Sequence, residues 1–256
     1  MRFLVPYILL IFSQLGAQTT IEPILIDSIA LQTDYFAGLD QHNNIYHVKE
    51  NTLYKILEDT TINYQNFQLG KIAKVDPFNS LKIINYYKDL NSIIVLDNRL
   101  APIKTINFNE NLNINNISHV ASAYDNNLWL FDENTRELLI YNYKKENITS
   151  KSLPILKDVK QITSNYNHCW VLTNDSLMKY NYFASLEEII TEKDIMAFRV
   201  FNENILIQKK NSFKLLNKDS QKEIKLPFLN FKDYHLYQDY LYIYSQNFLY
   251  KYHLKF

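Results

Sequence analysis

The sequence predicts an all-β protein: a β-propeller, most simply of six blades with about four antiparallel strands each, in a single domain over residues 21–256. Three observations predict it. A pair of short apolar strands joined by a polar turn recurs six times, the turns are rich in Asn, and the strands are apolar on both faces. A blade packed between two others must cover both faces, whereas a sheet with one wet face alternates apolar and polar residues.

The recurring unit begins with a strand of β-branched and aromatic residues, which is strand chemistry rather than helix chemistry. The first residues of the six segments are spaced by 35 to 48 positions. Short strands repeated at this spacing are typical of propeller blades. The six segments are Ile45–Val48, Ile93–Leu96, Leu128–Phe131, Trp170–Leu172, Ile205–Ile207 and Leu241–Tyr244.

Asn occupies the turn that follows each of these segments. The chain holds 30 Asn and only 3 Gly, so Asn is the residue available for turn positions that need a positive φ. We therefore expect the chain to enter the left-handed region at these Asn residues. They are Asn51, Asn98, Asn134, Asn174, Asn211 and Asn247.

A further strand is expected before each pair, and an outer strand after it. Outer strands are expected at Ile103–Phe108 and Glu187–Thr191, and Ile21–Leu31 is expected to supply the outer strand of the last blade and so close the ring. The preceding strands are expected at Asp34–Leu39, Leu81–Tyr87, Ile117–Tyr124, Val159–Tyr166, Met196–Phe201 and Phe231–Tyr237.

Residues 1–18 have the layout of a secretory signal peptide. Arg2 supplies the positive charge, Leu4–Leu15 the apolar region, and Gly16-Ala17 the small residues before a cleavage site near Ala17 or Gln18. The apolar stretch is too short to span a membrane. The sequence thus predicts export to the periplasm or the outer-membrane periphery, with no membrane span in the mature chain.

The search for chemistry yields no catalytic, cofactor-binding or metal-binding residue, and we expect no cofactor. The chain has 27 basic and 27 acidic residues, so it has no net positive charge to attract nucleic acid. No nucleotide, hydrolase or zinc-protease motif is present. Asp97, Asp125, Asp132 and Glu137 are expected to accept backbone N–H groups in turns, and the lone Cys169 is expected in the core. The histidines lack zinc-site spacing: His42, His47, His119, His168, His235 and His253.

One segment is more individual than the rest. It runs from Gly70 through Asp76-Pro77-Phe78-Asn79-Ser80 to Asp97-Asn98, and together with Tyr124–Trp129 it resembles a family of small exported β-propeller proteins of Bacteroidota, especially flavobacteria. The family usually has Asn-Pro where this chain has Asn79-Ser80. The resemblance implies a propeller fold and an envelope location, but no reaction. Asp76-Pro77 is expected to form a rigid turn between blades.

These observations predict an exported propeller that binds a protein partner in the cell envelope, for example as part of an outer-membrane or secretion complex. They point away from an enzyme without excluding one. A metal-dependent hydrolase or lactonase, or a glycan-binding propeller, are the alternatives. The seven tyrosines within Tyr234–Tyr252 fit packing between blades better than an exposed binding platform.

Overall fold

The described chain is built almost entirely of strands, as the sequence predicts. The structure is a computed structural model that describes residues 20–110, 114, 116–218, 220–226 and 230–255. Within these ranges 25 strands form six sheets, and the two 3₁₀ segments, Lys88–Leu90 and Phe108–Glu110, have three residues each. The predicted signal peptide, residues 1–18, lies outside the described residues.

Each sheet contains one blade of four antiparallel strands, and the sheet of blade 5 has a fifth strand added in parallel. Strands β1 (Thr20–Ile21) and β2 (Ile24–Ala30) precede the first blade. Blade 1 contains β3 (Tyr35–Leu39), β4 (Ile45–Lys49), β5 (Thr52–Ile56) and β6 (Thr61–Tyr64). Blade 2 contains β7 (Lys74–Asn79), β8 (Lys82–Tyr87), β9 (Ser92–Leu96) and β10 (Pro102–Asn107). Blade 3 contains β11 (Ile117–Ser122), β12 (Asn127–Asp132), β13 (Glu137–Asn142) and β14 (Asn147–Lys151).

The second half of the chain repeats the arrangement. Blade 4 contains β15 (Gln161–Ser164), β16 (His168–Leu172), β17 (Ser176–Asn181) and β18 (Leu186–Thr191). Blade 5 contains β19 (Ala197–Phe201), β20 (Asn204–Gln208), β21 (Phe213–Leu216) and β22 (Gln221–Ile224). Blade 6 contains β23 (Asp233–Tyr237), β24 (Tyr240–Ser245) and β25 (Phe248–His253).

The blades are arranged in a closed ring. The first strands of the blades, β3, β7, β11, β15, β19 and β23, each lie against the next, and β23 returns to β3. Strand β2 pairs antiparallel with β25, from Ile24 opposite His253 to Ala30 opposite Phe248. This confirms that the N-terminal strand completes the last blade.

The N-terminal segment does more than the sequence predicts. Strand β1 pairs in parallel with β22, so that Thr20 lies opposite Glu223 at the outer edge of blade 5. The backbone N–H of Lys225 donates to the carbonyl of Ile21, which extends the pairing. The segment therefore crosses from the outer edge of blade 5 to that of blade 6 and joins the two blades.

The core lies between the blades. In β12, Leu128 and Leu130 pack toward blade 2, whereas Trp129 and Phe131 pack toward blade 4. Cys169 is buried in the same layer as Trp129, and burial raises the pKa of its thiol, as expected of a core cysteine. Every blade is thus apolar on both faces, and this is the pattern from which the sequence predicts the ring.

The two ends of the ring differ in what they carry. We call the end that holds the turn between the first and second strands of every blade the turn face, and the opposite end the connection face. On the turn face, contacts between neighbouring first turns run around all six inter-blade interfaces. They are Gln41–Ser80, Lys82–Asp125, Asp125–Tyr166, Asn165–Asn202, Phe201–Tyr237 and Tyr237–Gln41.

The second blade corrects the sequence prediction. Ile93–Leu96 belongs to the third strand and Leu81–Tyr87 covers the second, so the first strand is Lys74–Asn79. Asp76-Pro77 was expected to form a turn between blades, but it lies inside this strand. Proline is tolerated there because the strand is the inner edge of its sheet and its register shifts between Asp76 and Asn79.

The Asn prediction is right for only part of the turns. Asn51 and Asn247 have positive φ, but at two other turns Leu100 and Arg136 do instead of the Asn two residues earlier. In those turns the carboxylates of Asp97 and Asp132 accept backbone N–H groups two residues on. The Asx bond fixes the start of the turn, and the left-handed residue then falls later in the loop.

Candidate functional site

A row of polar side chains lines the axis of the ring. The first strands alternate fully buried residues with half-buried ones, and the half-buried positions carry mostly polar and ionisable groups. Neither their spacing nor their flanking residues distinguish them in the sequence, because one or two come from each blade. The polar ones include Tyr35, Lys74, Asp76, His119, Gln161, Thr163, Arg199, Asp233 and His235.

Most of these channel groups bind the backbone of the neighbouring blade. The carboxylate of Asp76 accepts the N–H of Ser122 at 2.8 Å, and that of Asp233 accepts the N–H of Phe36 at 3.2 Å. The guanidinium of Arg199 donates through Nε to the carbonyl of Tyr234 at 3.0 Å. These bonds join blade 2 to blade 3, blade 6 to blade 1, and blade 5 to blade 6.

Lys74 reaches farthest across the channel. Its ammonium donates to the carbonyl of Val120 in blade 3 at 2.6 Å and to that of Ile162 in blade 4 at 3.1 Å. Burial lowers the pKa of Lys74, although the charge of Asp76 opposes this shift. One side chain therefore ties three blades together at the axis.

The channel environment shifts several proton equilibria. Burial, with a smaller contribution from the charge of Arg199, lowers the pKa of His235 to about 3. The imidazole of His235 is therefore neutral at physiological pH. Burial raises the pKa of the Asp233 carboxyl above its usual value. It also raises the pKa of the Tyr35 hydroxyl, to about 12. Gly38 has φ +132°, and a Cβ there would lie 2.8 Å from the His235 ring, so glycine makes room for it.

The structure separates the other histidines. His47 is buried and lies 3.2 Å from the hydroxyl of Thr33, and His168 lies between Glu187 and Glu203. His42 and His253 are on blades 1 and 6. Among the residues that the structure describes, no group of three or more His, Cys, Asp or Glu side chains is placed to hold a metal ion.

The turn face carries a cluster of exposed aromatic residues at the interface of blades 3 and 4. We call Tyr124, Tyr166, Tyr182 and Phe183 the aromatic cluster. Tyr166, Tyr182 and Phe183 are 51%, 46% and 60% exposed. The Tyr182 ring packs edge-on to Tyr124 at 6.1 Å between centroids and lies 4.2 Å from the ring of Phe183.

Hydrogen bonds hold the aromatic cluster in place. The hydroxyl of Tyr166 donates to the carboxylate of Asp125 at 2.8 Å, and Ser150 donates to the carbonyl of Phe183 at 2.5 Å. Asp125 was expected to bind backbone N–H groups, but it accepts this tyrosine hydroxyl instead. The cluster is therefore a fixed surface that joins two blades.

The tyrosines near the C-terminus are mostly part of the core. Tyr234, Tyr242, Tyr244 and Tyr252 are buried between blades. The hydroxyl of Tyr244 donates to the carbonyl of Thr33 at 3.1 Å. This agrees with the expectation that they pack between blades rather than form an open platform.

Comparisons with known proteins agree with the fold and go no further. No protein-family model and no curated protein sequence matches the chain. Among solved structures, a streptogramin B lyase matches with a TM-score of 0.62 and 11% identity, over 92% of this chain and 87% of that one. A chain of the mitotic checkpoint complex matches with a TM-score of 0.60 and 9% identity, over 99% and 98%.

A third similar structure is PorZ, a surface component of the type-IX secretion system of Porphyromonas gingivalis. It matches with a TM-score of 0.52 and 13% identity over 85% of this chain, and the chain spans 32% of the length of PorZ. At these identities the likeness establishes the β-propeller fold alone. No helix within the described ranges has the length and hydropathy to cross a membrane.

Proposed function

We propose that this protein is an exported binding module of the bacterial cell envelope, which holds a protein partner on its turn face through the aromatic cluster. The observation that carries the proposal is the exposure of Tyr166, Tyr182 and Phe183 on a surface fixed by hydrogen bonds. Tyrosine is enriched among the residues that dominate binding energy at protein interfaces.

The rings of the cluster face in different directions and do not form one flat platform on which a sugar chain could stack. Here the rings of Tyr124 and Tyr182 are inclined by 84° and those of Tyr182 and Phe183 by 44°. These rings form a knobbed apolar surface, which complements a partner that presents apolar side chains and few charges.

The cellular location rests on two supports. Residues 1–18 have the layout of a signal peptide. The structural neighbour PorZ is a surface component of a bacterial secretion system. Both support a place in the envelope, where a rigid ring can serve as a scaffold for a larger assembly.

The proposal is tested by site-specific photo-crosslinking in the native cell. A photoreactive phenylalanine analogue replaces Phe183, and in a matched strain it replaces Leu156, which is exposed on the connection face. We expect one discrete envelope protein to be linked from position 183 and not from position 156. Mass spectrometry identifies it, and cell fractionation with N-terminal sequencing checks for export and for cleavage near Ala17 or Gln18.

A second variant checks the role of the cluster itself. Tyr182→Ala should reduce the yield of the 183 adduct at least about fivefold, since interface aromatics often contribute more than 1 kcal/mol. Identical adducts from both positions, or none from position 183, would contradict the proposal. Specific capture of an oligosaccharide would favour the glycan-binding alternative.

A further inference from the structure

A separate cleft opens on the turn face between blades 1 and 2. Its volume is about 600 Å³, within the range of sites that hold small organic molecules. It lies between the first and third turns of both blades. The lining residues are Gln41, His42, Asn44, Lys55, Leu57, Thr60, Ile62, Ser80, Leu81, Asn98 and Arg99.

The charge of the cleft is one-sided. Lys55 and Arg99 line it, and no acidic side chain does. The carboxylate of Asp40 is buried beneath the lining, and the exposed Glu58 and Asp59 lie in the third turn of blade 1 without lining the cleft. The Asp40 side chain is 3.5 Å from the ammonium of Lys55, and the side chains of the pair are 0% and 3% exposed. The groups that line the cleft itself therefore include two cations and no carboxylate.

Asp40 is kept ionised by its neighbours. Burial alone would raise its pKa, but hydrogen bonds from the Asn44 side chain, the backbone of His42 and the Tyr46 hydroxyl outweigh burial and lower the pKa. The Tyr46 hydroxyl donates to Asp40 at 2.9 Å. Because its acceptors are already occupied, Asp40 positions Lys55 rather than offering a site to an incoming cation.

Lys55 donates one hydrogen bond within the described residues, although an ammonium group carries three N–H bonds. The acceptor is the carbonyl of Asn98 at 3.0 Å. The ammonium also forms the ion pair with Asp40 and lies 5.3 Å from the centroid of the Tyr46 ring. A buried ammonium that borders a cavity favours an anionic group in that cavity.

The apolar part of the lining indicates which kind of ligand fits the cleft. Leu57, Ile62 and Leu81 contribute apolar surface, which a small inorganic ion would leave uncovered. We infer that the cleft binds an organic monocarboxylate with an apolar body, its carboxylate held between Lys55 and Arg99. The same chemistry is presented by an alkyl carboxylic acid and by the C-terminus of an apolar peptide.

Calorimetric titration of the mature protein tests the site with matched probes. N-acetyl-leucine represents a peptide C-terminus and hexanoate an alkyl acid. N-acetyl-leucinamide and hexanamide are the neutral controls of nearly equal shape. We expect at least one acid to bind with a Kd near or below about 1 mM, and its amide at least about tenfold more weakly. The preferred acid identifies the source of the carboxylate.

Variants locate the binding. Arg99→Gln should weaken binding of the acid about fivefold to tenfold, because it removes the exposed one of the two cations that hold the carboxylate. Lys145→Gln is the matched control: it removes an exposed cation from the equivalent turn of blade 3 and should leave the Kd unchanged. Phe183→Ala, in the aromatic cluster, should also leave it unchanged, which separates this site from the proposed protein-binding surface.

Several results would overturn the inference. They are equal binding of acid and amide, equal weakening by Arg99→Gln and Lys145→Gln, or no heat with either acid at about 10 mM, ten times the expected upper Kd.

Discussion

Two neighbouring inter-blade interfaces on the turn face use the same device with different outcomes. Between blades 2 and 3, Lys82 donates to the carbonyls of Ala123, Asp125 and Asn127 at 2.5, 2.8 and 2.9 Å. Between blades 1 and 2, Lys55 donates to one carbonyl, pairs with a buried carboxylate and borders a cleft. A lysine whose ammonium donates to three carbonyls is a structural bridge. A lysine that donates to one carbonyl and borders a cleft can also bind a ligand.

The two lysines should differ most when their charge is removed. Lys55→Met leaves the buried carboxylate of Asp40 unpaired, and we expect a loss of about 3–5 kcal/mol in the free energy of unfolding. Urea unfolding measures it. The double variant Asp40→Asn/Lys55→Met should lose at least about 1 kcal/mol less than the sum of the single variants. Strict additivity would show that the pair does not interact.

Lys82→Met should cost somewhat less, about 3 kcal/mol at neutral pH, because three carbonyls lose a charged donor but no buried carboxylate loses an ion-pair partner. The same urea series measures it. Adding Asp40→Asn should not restore this loss, since Asp40 does not contact Lys82. A rescue would mean that the two interfaces are coupled rather than independent.

The pH dependence of Lys82 sharpens the contrast. Burial lowers its pKa from 10.5 to about 8, against the opposing charges of Asp76 and Asp125. Between these values the unfolded chain binds more protons than the folded one, so this group makes stability rise with pH. The advantage of the wild type over Lys82→Met should grow by about 2 kcal/mol from about pH 7.5 to about pH 9.5. A constant difference would contradict the pKa shift.

Arg99→Gln should have the smallest effect on stability. Arg99 is exposed, and its side chain forms no hydrogen bond or ion pair with the described residues, so the free energy of unfolding should change by less than about 0.5 kcal/mol. Thermal unfolding checks this. A larger loss would show that Arg99 supports the fold, and the binding test would then need Arg99→Lys, which preserves the charge.

The sequence was sufficient for the ring because the ring follows from local chemistry. Strands such as Leu128–Phe131 are apolar on both faces, and this pattern requires cover on both sides. Blade 2 was misread because Pro77 in a first strand looks like a turn residue when its edge position is not known. The composition of the segment was known, but the order in which its strands pair was not.

The candidate sites were mostly beyond the reach of the sequence. Lys55 and Arg99 are 44 positions apart and belong to strands and turns of different blades, so nothing local marks them as a pair. The aromatic cluster left a partial signal, because Tyr124 and Tyr166 each follow the first strand of their blade by two residues. The sequence does not show that Tyr182 and Phe183, which belong to another turn, lie beside them.

The pairing of β2 with β25 sets an order of events in biosynthesis. A chain that emerges with its N-terminus first, from a ribosome or from a translocation channel, presents Ile24–Ala30 long before its mate, Phe248–His253. Until then the backbone groups of this strand lack their pairing partner, and the side chains of Ile24, Leu25 and Ile26 remain partly exposed even in the closed ring. Closure of the ring by this pairing is therefore a late step in folding. A chaperone could bind the unpaired strand until its partner has emerged.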